Sequence, residues 1–199
     1  MEKIREFVLS PSGLLALSLL ILLVGRCVLK RDYLNCFEIV EQHWKCFADR
    51  NGNISKITIF LYYGVPLLIA FSLVQIKKID EEVINSLTVI ISILTSMFFT
   101  LLTLTLDMYK GVGRNKNYND GNAQISKKLL KETYYAIMFE ILISIVILIM
   151  CFIYLFAEKY SYVGSVVLYY LTFVLLTNLF MILKRVYKVI QEDLNVTST

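Results

Sequence analysis

Val83–Leu106 reads VINSLTVIISILTSMFFTLLTLTL, a run of 24 residues without one charged side chain. The hydrocarbon core of a bilayer takes roughly 20 apolar residues in helix. This segment is therefore long enough to cross. Backbone amides cannot go unsatisfied in lipid, so a crossing segment must be helical. The valines, isoleucines and threonines that would favour a strand in water carry no such weight here.

Three further runs lie on either side of it. Ile57–Ile76 is charge-free and bracketed by Lys56 and by Lys77-Lys78. Tyr134–Ala157 contains one charge, Glu140, and Tyr162–Leu183 contains none before Lys184-Arg185. The composition agrees. Of 199 residues, 57% are hydrophobic and 18% charged, with mean hydropathy +0.65. Ordinary soluble domains are more polar, and disordered chains far more so. Two prolines and eight glycines exclude collagen-like and low-complexity chains. The expectation is an all-α, polytopic helical membrane protein. It forms a single membrane domain over 1–199, with four strong spans at 57–76, 83–106, 134–157 and 162–183.

A fifth span is expected near 12–29. Leu14–Val24 is unbroken, and Gly25 and Arg26 then precede Cys27-Val28-Leu29. Arg26 can snorkel to an interface. A signal peptide fits less well, since Glu2, Lys3, Arg5 and Glu6 balance and no A-x-A site follows. A lipoprotein site needs a small residue before the cysteine, where Arg26 stands. An interfacial or re-entrant segment is the alternative, leaving four spans.

Lysines and arginines then set orientation. With five spans, Lys3, Arg5, Lys77, Lys78 and Lys159 share one side and the other fifteen the opposite side. The segments 30–56, 107–133 and 184–199 are thus expected in the cytoplasm, with the carboxyl terminus inside. Losing the first span leaves that sidedness unchanged. The connections at Asp80-Glu81-Glu82 and Lys159 become tight external turns. The acidic one reads as solvated charge at a helix start.

In the first cytoplasmic segment Tyr33, Phe37, Val40, Trp44 and Phe47 recur at spacings of four, three, four and three, a helical stripe. It reads as an amphipathic helix lying on the membrane or the bundle; a docking surface for a partner or neighbouring subunit is the sharper alternative. Asn51-Gly52-Asn53 ends it with a turn. Cys36, His43 and Cys46 share the stretch, but a helix separates the cysteines by about 15 Å of rise. That is too far for a disulfide or one metal shell. The four cysteines read as reduced thiols, and no metal or cofactor is expected.

The next cytoplasmic segment opens DMYKGVGRNKNYNDGNAQ. Its Gly-Val-Gly lacks the Gly-Lys-Ser/Thr of a phosphate loop and reads as a flexible turn. A helix is expected from about Ala123, running into the next span as one rod. It carries Lys127, Lys128 and Lys131, each worth about 1 kcal/mol toward anionic lipid; an acidic partner face is the alternative. The net charge of +4 reflects sidedness, and no direct nucleic-acid contact is expected. The tail, with Lys184 and Arg185, starts as a helix and is expected to fray over Asn195–Thr199. The sequons at Asn53 and Asn195 fall on the cytoplasmic side and are discounted.

An ionisable residue inside a span is a functional candidate by default. Glu140 lies about 9 Å inside its span at 1.5 Å per residue. Thr177 and Asn178 have similar depth, and Thr100, Thr103, Tyr62 and Tyr63 fall in the same inner third. Three readings of this layer compete: polar contacts holding helices together, a carboxylate ring around an oligomeric ion path, or a proton-coupled transport site. Against transport stand the lack of an internal repeat and a single broken-helix signature, Gly64-Val65-Pro66, expected to kink its run. His43 is the sole histidine. No catalytic motif is present, so no enzymatic activity is expected.

Five segments together carry a resemblance: PSGLLALSLLILLVG (11–25), YYGVPLLIAF (62–71), VIISILTSMFFTLLTLTLD (89–107), LLKETYYAIMFEILISIVIL (129–148) and LTNLFMILKRVYKVI (176–190). They resemble a group of small bacterial membrane proteins encoded in antiphage defence islands, the membrane subunit of the Kiwa system among them. The likeness spans the chain and rests on hydrophobic patterning, so no site residue is carried over. It implies a non-enzymatic inner-membrane scaffold or sensor. Such a protein would form a homo-oligomer, hold a cytosolic DNA-binding partner from the same operon, and respond to phage attack on the envelope. A pore-forming effector, or less readily a transporter subunit, is the alternative.

Overall fold

The computed structural model describes residues 36–47, 56–114, 120–157 and 159–197. Contacts divide the chain into Met1–Glu38 and Ile39–Thr199. Of the first unit only 36–38 are described, so the expected span at 12–29 and Tyr33 lie outside the described residues, as does the turn at Asn51-Gly52-Asn53.

The described residues are all-α, and four helices are long and apolar enough to cross a membrane. A short helix, α1 (Phe37–Lys45), precedes them. The four long ones are α2 (Lys56–Ile76), α3 (Glu81–Arg114), α4 (Asp120–Tyr154) and α5 (Tyr162–Thr197). The chain is a multi-pass helical membrane protein.

α2 is not uniform. Val65 N–H bonds to the Phe60 carbonyl, and Phe60–Gly64 is a π-helical turn. The cause is one residue further on: Pro66 has no N–H to offer the Tyr62 carbonyl, and the wider turn absorbs the mismatch. Thr177 Oγ1 from α5 reaches that carbonyl at 3.3 Å while sharing its proton with Phe173 and Val174 of its own helix. The chain thus meets the expected kink at Gly64-Val65-Pro66 with a change of register.

The turn from α2 to α3 is capped from both sides. Asp80 Oδ1 accepts from the Val83 amide at 2.9 Å, the N-cap geometry. Lys77 Nζ sits 3.1 Å from Asp80 and 3.2 Å from Glu82. The Val83 amide and the Lys77 ammonium hold the Asp80 carboxyl below the ordinary range.

Packing follows a period of 3.5 residues. On α4, Ser126, Leu130, Thr133, Ile137, Glu140, Ser144, Ile147 and Cys151 are all buried at alternating spacings of four and three. On α3 the buried residues Ile84, Ile91, Phe98 and Thr105 stand seven apart. On α5, Ser165, Leu168, Thr172 and Leu175 continue the pattern, and Val174, Asn178 and Met181 form a second buried row. Such heptads seat side chains of near-parallel helices between one another. α3 packs on α4, α4 on α5, and α5 on α2. The inner pair is accordingly the more enclosed: half of the most apolar window of α4 is buried, against 11% for α3. The outer helices turn Leu61, Leu68, Phe71, Val89, Ile90, Ile93 and Phe99 outward, an apolar surface that water would not tolerate and lipid would.

Two expected irregular segments are helical. Gly111, Val112 and Gly113 continue α3 as far as Arg114, and Asn195-Val196-Thr197 continue α5. A glycine in a helix interior costs only about 1 kcal/mol. The buried Thr105 and Leu130 show α3 and α4 still packing where their apolar cores end, and that packing outweighs the glycines. α4 begins at Asp120, close to the expected start at Ala123.

Candidate functional site

The joint between α1 and the long helices gathers most of the polar layer. Its outer part is aromatic. The Trp44 ring stacks on Tyr63 at 5.1 Å, and Phe47 lies 5.6 Å from Tyr62 and 6.0 Å from Tyr63. His43 is fully buried, flat against Phe139 of α4 at 3.8 Å and 5.2 Å from Phe47. Its Nε2 pairs with Tyr63 Oη at 3.0 Å, the tautomer deciding which group donates. Burial, and then the charge of Arg185, lower the His43 pKa to about 3, so the imidazole is neutral.

Arg185 of α5 ties the end of α1 down. Its Nη2 donates to the Cys46 carbonyl at 2.9 Å, and Nη1 stands 3.4 Å from Glu132 of α4. The second contact is an ion pair without hydrogen-bond alignment, since Nη1 is otherwise unpaired. Cys46 Sγ contacts the Gln42 and Glu132 carbonyls at 3.3 and 3.6 Å. Burial pushes the Cys46 thiol up despite the neighbouring guanidinium, which makes it a poor nucleophile.

Below this joint lie Glu140 and Asn178, both fully buried. Asn178 is close to Glu140 and to Tyr63, yet neither Glu140 oxygen nor either Asn178 polar atom has a well-aligned hydrogen bond. Thr177 and Tyr62 complete the cluster through the α2 carbonyl. Of the expected layer, then, Tyr62, Tyr63, Glu140, Thr177 and Asn178 come together. Thr100 and Thr103 do not: both are exposed, with hydroxyls bonded to Ser96 and Thr100 carbonyls of their own helix. Their depth matches the layer, but the heptad of α3 points Phe98 and Thr105 inward in their place.

The stripe on α1 is divided. Phe47 is buried, Val40 and Trp44 half-buried against the bundle, and Phe37 exposed. The chain's own α2 and α4 take up the face formed by Trp44 and Phe47, which is not open to a docking partner. Arg185 is likewise internal, its side chain 13% exposed, because Glu132 and the end of α1 enclose it. Lys128, Lys131 and Lys184 are exposed and Lys127 half-buried; Lys131 lies over the Tyr135 ring.

His43, Glu132 and Phe139 belong to the joint and were not singled out as its residues from sequence. For His43 a signal existed: it lies three residues after Val40 and four before Phe47, on the buried edge of the stripe. Nothing local marked Glu132 or Phe139. Among the described residues no three His, Cys, Asp or Glu side chains gather as a metal site. No protein family, curated protein or solved structure matches the chain.

Proposed function

We propose that this chain is a non-enzymatic inner-membrane scaffold or sensor of a bacterial antiphage defence system. It oligomerises and holds a cytosolic DNA-binding effector at the membrane. One observation carries the reading. α3, α4 and α5 have 34, 35 and 36 residues, or about 50 Å each at 1.5 Å per residue. That exceeds a hydrocarbon core of roughly 30 Å. All three overrun at the same end, where Arg114, Asp120 and Thr197 lie, while short turns close the other. The overrun, with α1 latched beneath it, is a basic platform, and Lys184 and Lys188 are exposed on it. The defence context comes from the resemblance.

A carboxylate ring for ion passage has less support. Glu140 is enclosed within one chain, on the seam between its own helices, and no outward face presents it to an axis.

Tagged protein purified from cells carrying its operon neighbours tests the proposal. The expected result is co-purification of a soluble product of an adjacent gene, lost when Lys184→Glu and Lys188→Glu reverse the platform charge. Absence of any such partner overturns it. Fusions to the carboxyl terminus test the sidedness: a fluorescent protein glows there and alkaline phosphatase stays inactive, or the platform is on the wrong side.

A further inference from the structure

The ends of α3 and α4 enclose a cleft of about 190 Å³, lined by Thr105, Leu106, Tyr109, Leu130, Lys131, Tyr134 and Tyr135. Its floor and mouth differ in chemistry. Thr105 and Leu106 close off its apolar end, where the uncharged core of α3 stops, and the buried Leu130 backs it from α4. Tyr109, Tyr134 and Tyr135 ring it at the level where tyrosines mark a bilayer–water boundary. Lys131 stands at the mouth over Tyr135. Lys127 lies one turn further out on the same helical face, and Lys110 follows Tyr109 on α3. The acids nearby do not neutralise this rim: Glu132 faces Arg185, and Asp107 is exposed two residues beyond the buried Thr105.

We propose that this cleft binds one anionic phospholipid of the bilayer leaflet on the basic side, an acyl chain between α3 and α4 and the phosphate at Lys131 and Lys127. The cleft is small for a compact cofactor, whose pockets run to about 300–1,000 Å³, and it opens where a lipid's charge and its chain part company. A free phosphate would satisfy the lysines and leave the apolar floor unused. The inference requires only that the chain spans a membrane, so it can fail without touching the scaffold reading, and conversely.

Native mass spectrometry of the full chain in detergent, titrated with dioleoyl phosphatidylglycerol or dioleoyl phosphatidylcholine, tests it. The expected result is phosphatidylglycerol bound about tenfold tighter. Lys127→Ala with Lys131→Ala weakens it about twenty-fivefold, near fivefold for each lysine. Leu106→Trp, at a position 39% exposed and outside the core, fills the cleft and weakens binding with all lysines present, while unchanged helical circular dichroism shows that the variant folds. Equal affinity for the two lipids, or insensitivity to either variant, overturns the proposal. So does displacement of the lipid by an equal concentration of glycerol phosphate, which would make the site one for soluble phosphate.

Discussion

The imidazole of His43 lies parallel to the Phe139 ring, 3.8 Å away with planes 11° apart, and its far nitrogen meets the Tyr63 hydroxyl. One side chain of α1 thereby touches both α4 and α2. The joint favours that side chain uncharged, because His43 Nδ1 has no partner and a buried cation without one is costly.

A pH dependence follows from that arrangement. Docked, His43 has its pKa lowered to about 3; exposed to water it would return to about 6.5. The neutral form is the one the docked state favours, so docking is at full strength above pH 6.5. It weakens as pH falls toward 3, because only the undocked state takes up the proton. The limiting slope is about 1.4 kcal/mol per pH unit. Trp44, the sole tryptophan, stacks on Tyr63 and reports the joint. Its emission should shift to the red between pH 6 and pH 4 in the parent protein and stay constant over that range in His43→Phe.

Arg185 holds the same joint from the other side. Arg185→Ala removes the bond to the Cys46 carbonyl and leaves Glu132 without its counter-charge. A buried or half-buried charged hydrogen bond lost in this way costs about 1.5–3 kcal/mol. Arg185→Lys recovers little, because one ammonium cannot face both acceptors in the geometry of a guanidinium fork. Both variants should raise Trp44 exposure to iodide quenching at neutral pH, with alanine having the larger effect.

Glu140 and Asn178 are buried together without aligned hydrogen bonds, so their polar atoms have lost hydration and gained little in exchange. Replacing such a group by an apolar one of similar size is often neutral or stabilising. Glu140→Leu should therefore leave the thermal midpoint in detergent unchanged or raise it. A large fall would show that the carboxyl ties helices together more strongly than its geometry indicates. In liposomes, Glu140→Gln should leave any ion flux as it was.

At the opposite end of the bundle, Gly164 of α5 faces the Tyr154 hydroxyl so closely that a Cβ there would overlap it. Gly164→Ala must displace the ring. What must move is the far end of a half-buried side chain, so the cost falls at the low end of overpacking, about 1 kcal/mol. Tyr154→Phe should recover part of the lost thermal stability and Tyr154→Leu more of it, whereas both changes alone should be mild, Tyr154 being only half-buried.

Hydropathy alone was enough to identify four helices long and apolar enough to cross, because a bilayer tests each segment separately for length, charge and satisfied backbone. Depth could be read in the same way, and it collected Glu140, Asn178, Thr177, Tyr62 and Tyr63 correctly as neighbours. Depth does not determine rotation about a helix axis. Thr100 and Thr103 share the depth and face outward, because the heptad of α3 turns other residues in. The aromatic stripe of α1 was legible as a stripe, but whether it met lipid, a partner or its own chain depended on Phe139, Tyr63 and Arg185, the last bonded to Cys46 from 139 positions away. Those contacts form only when α2, α4 and α5 pack side by side. Pairing between distant segments arises from complementary surfaces in three dimensions, and no local period in a sequence encodes it.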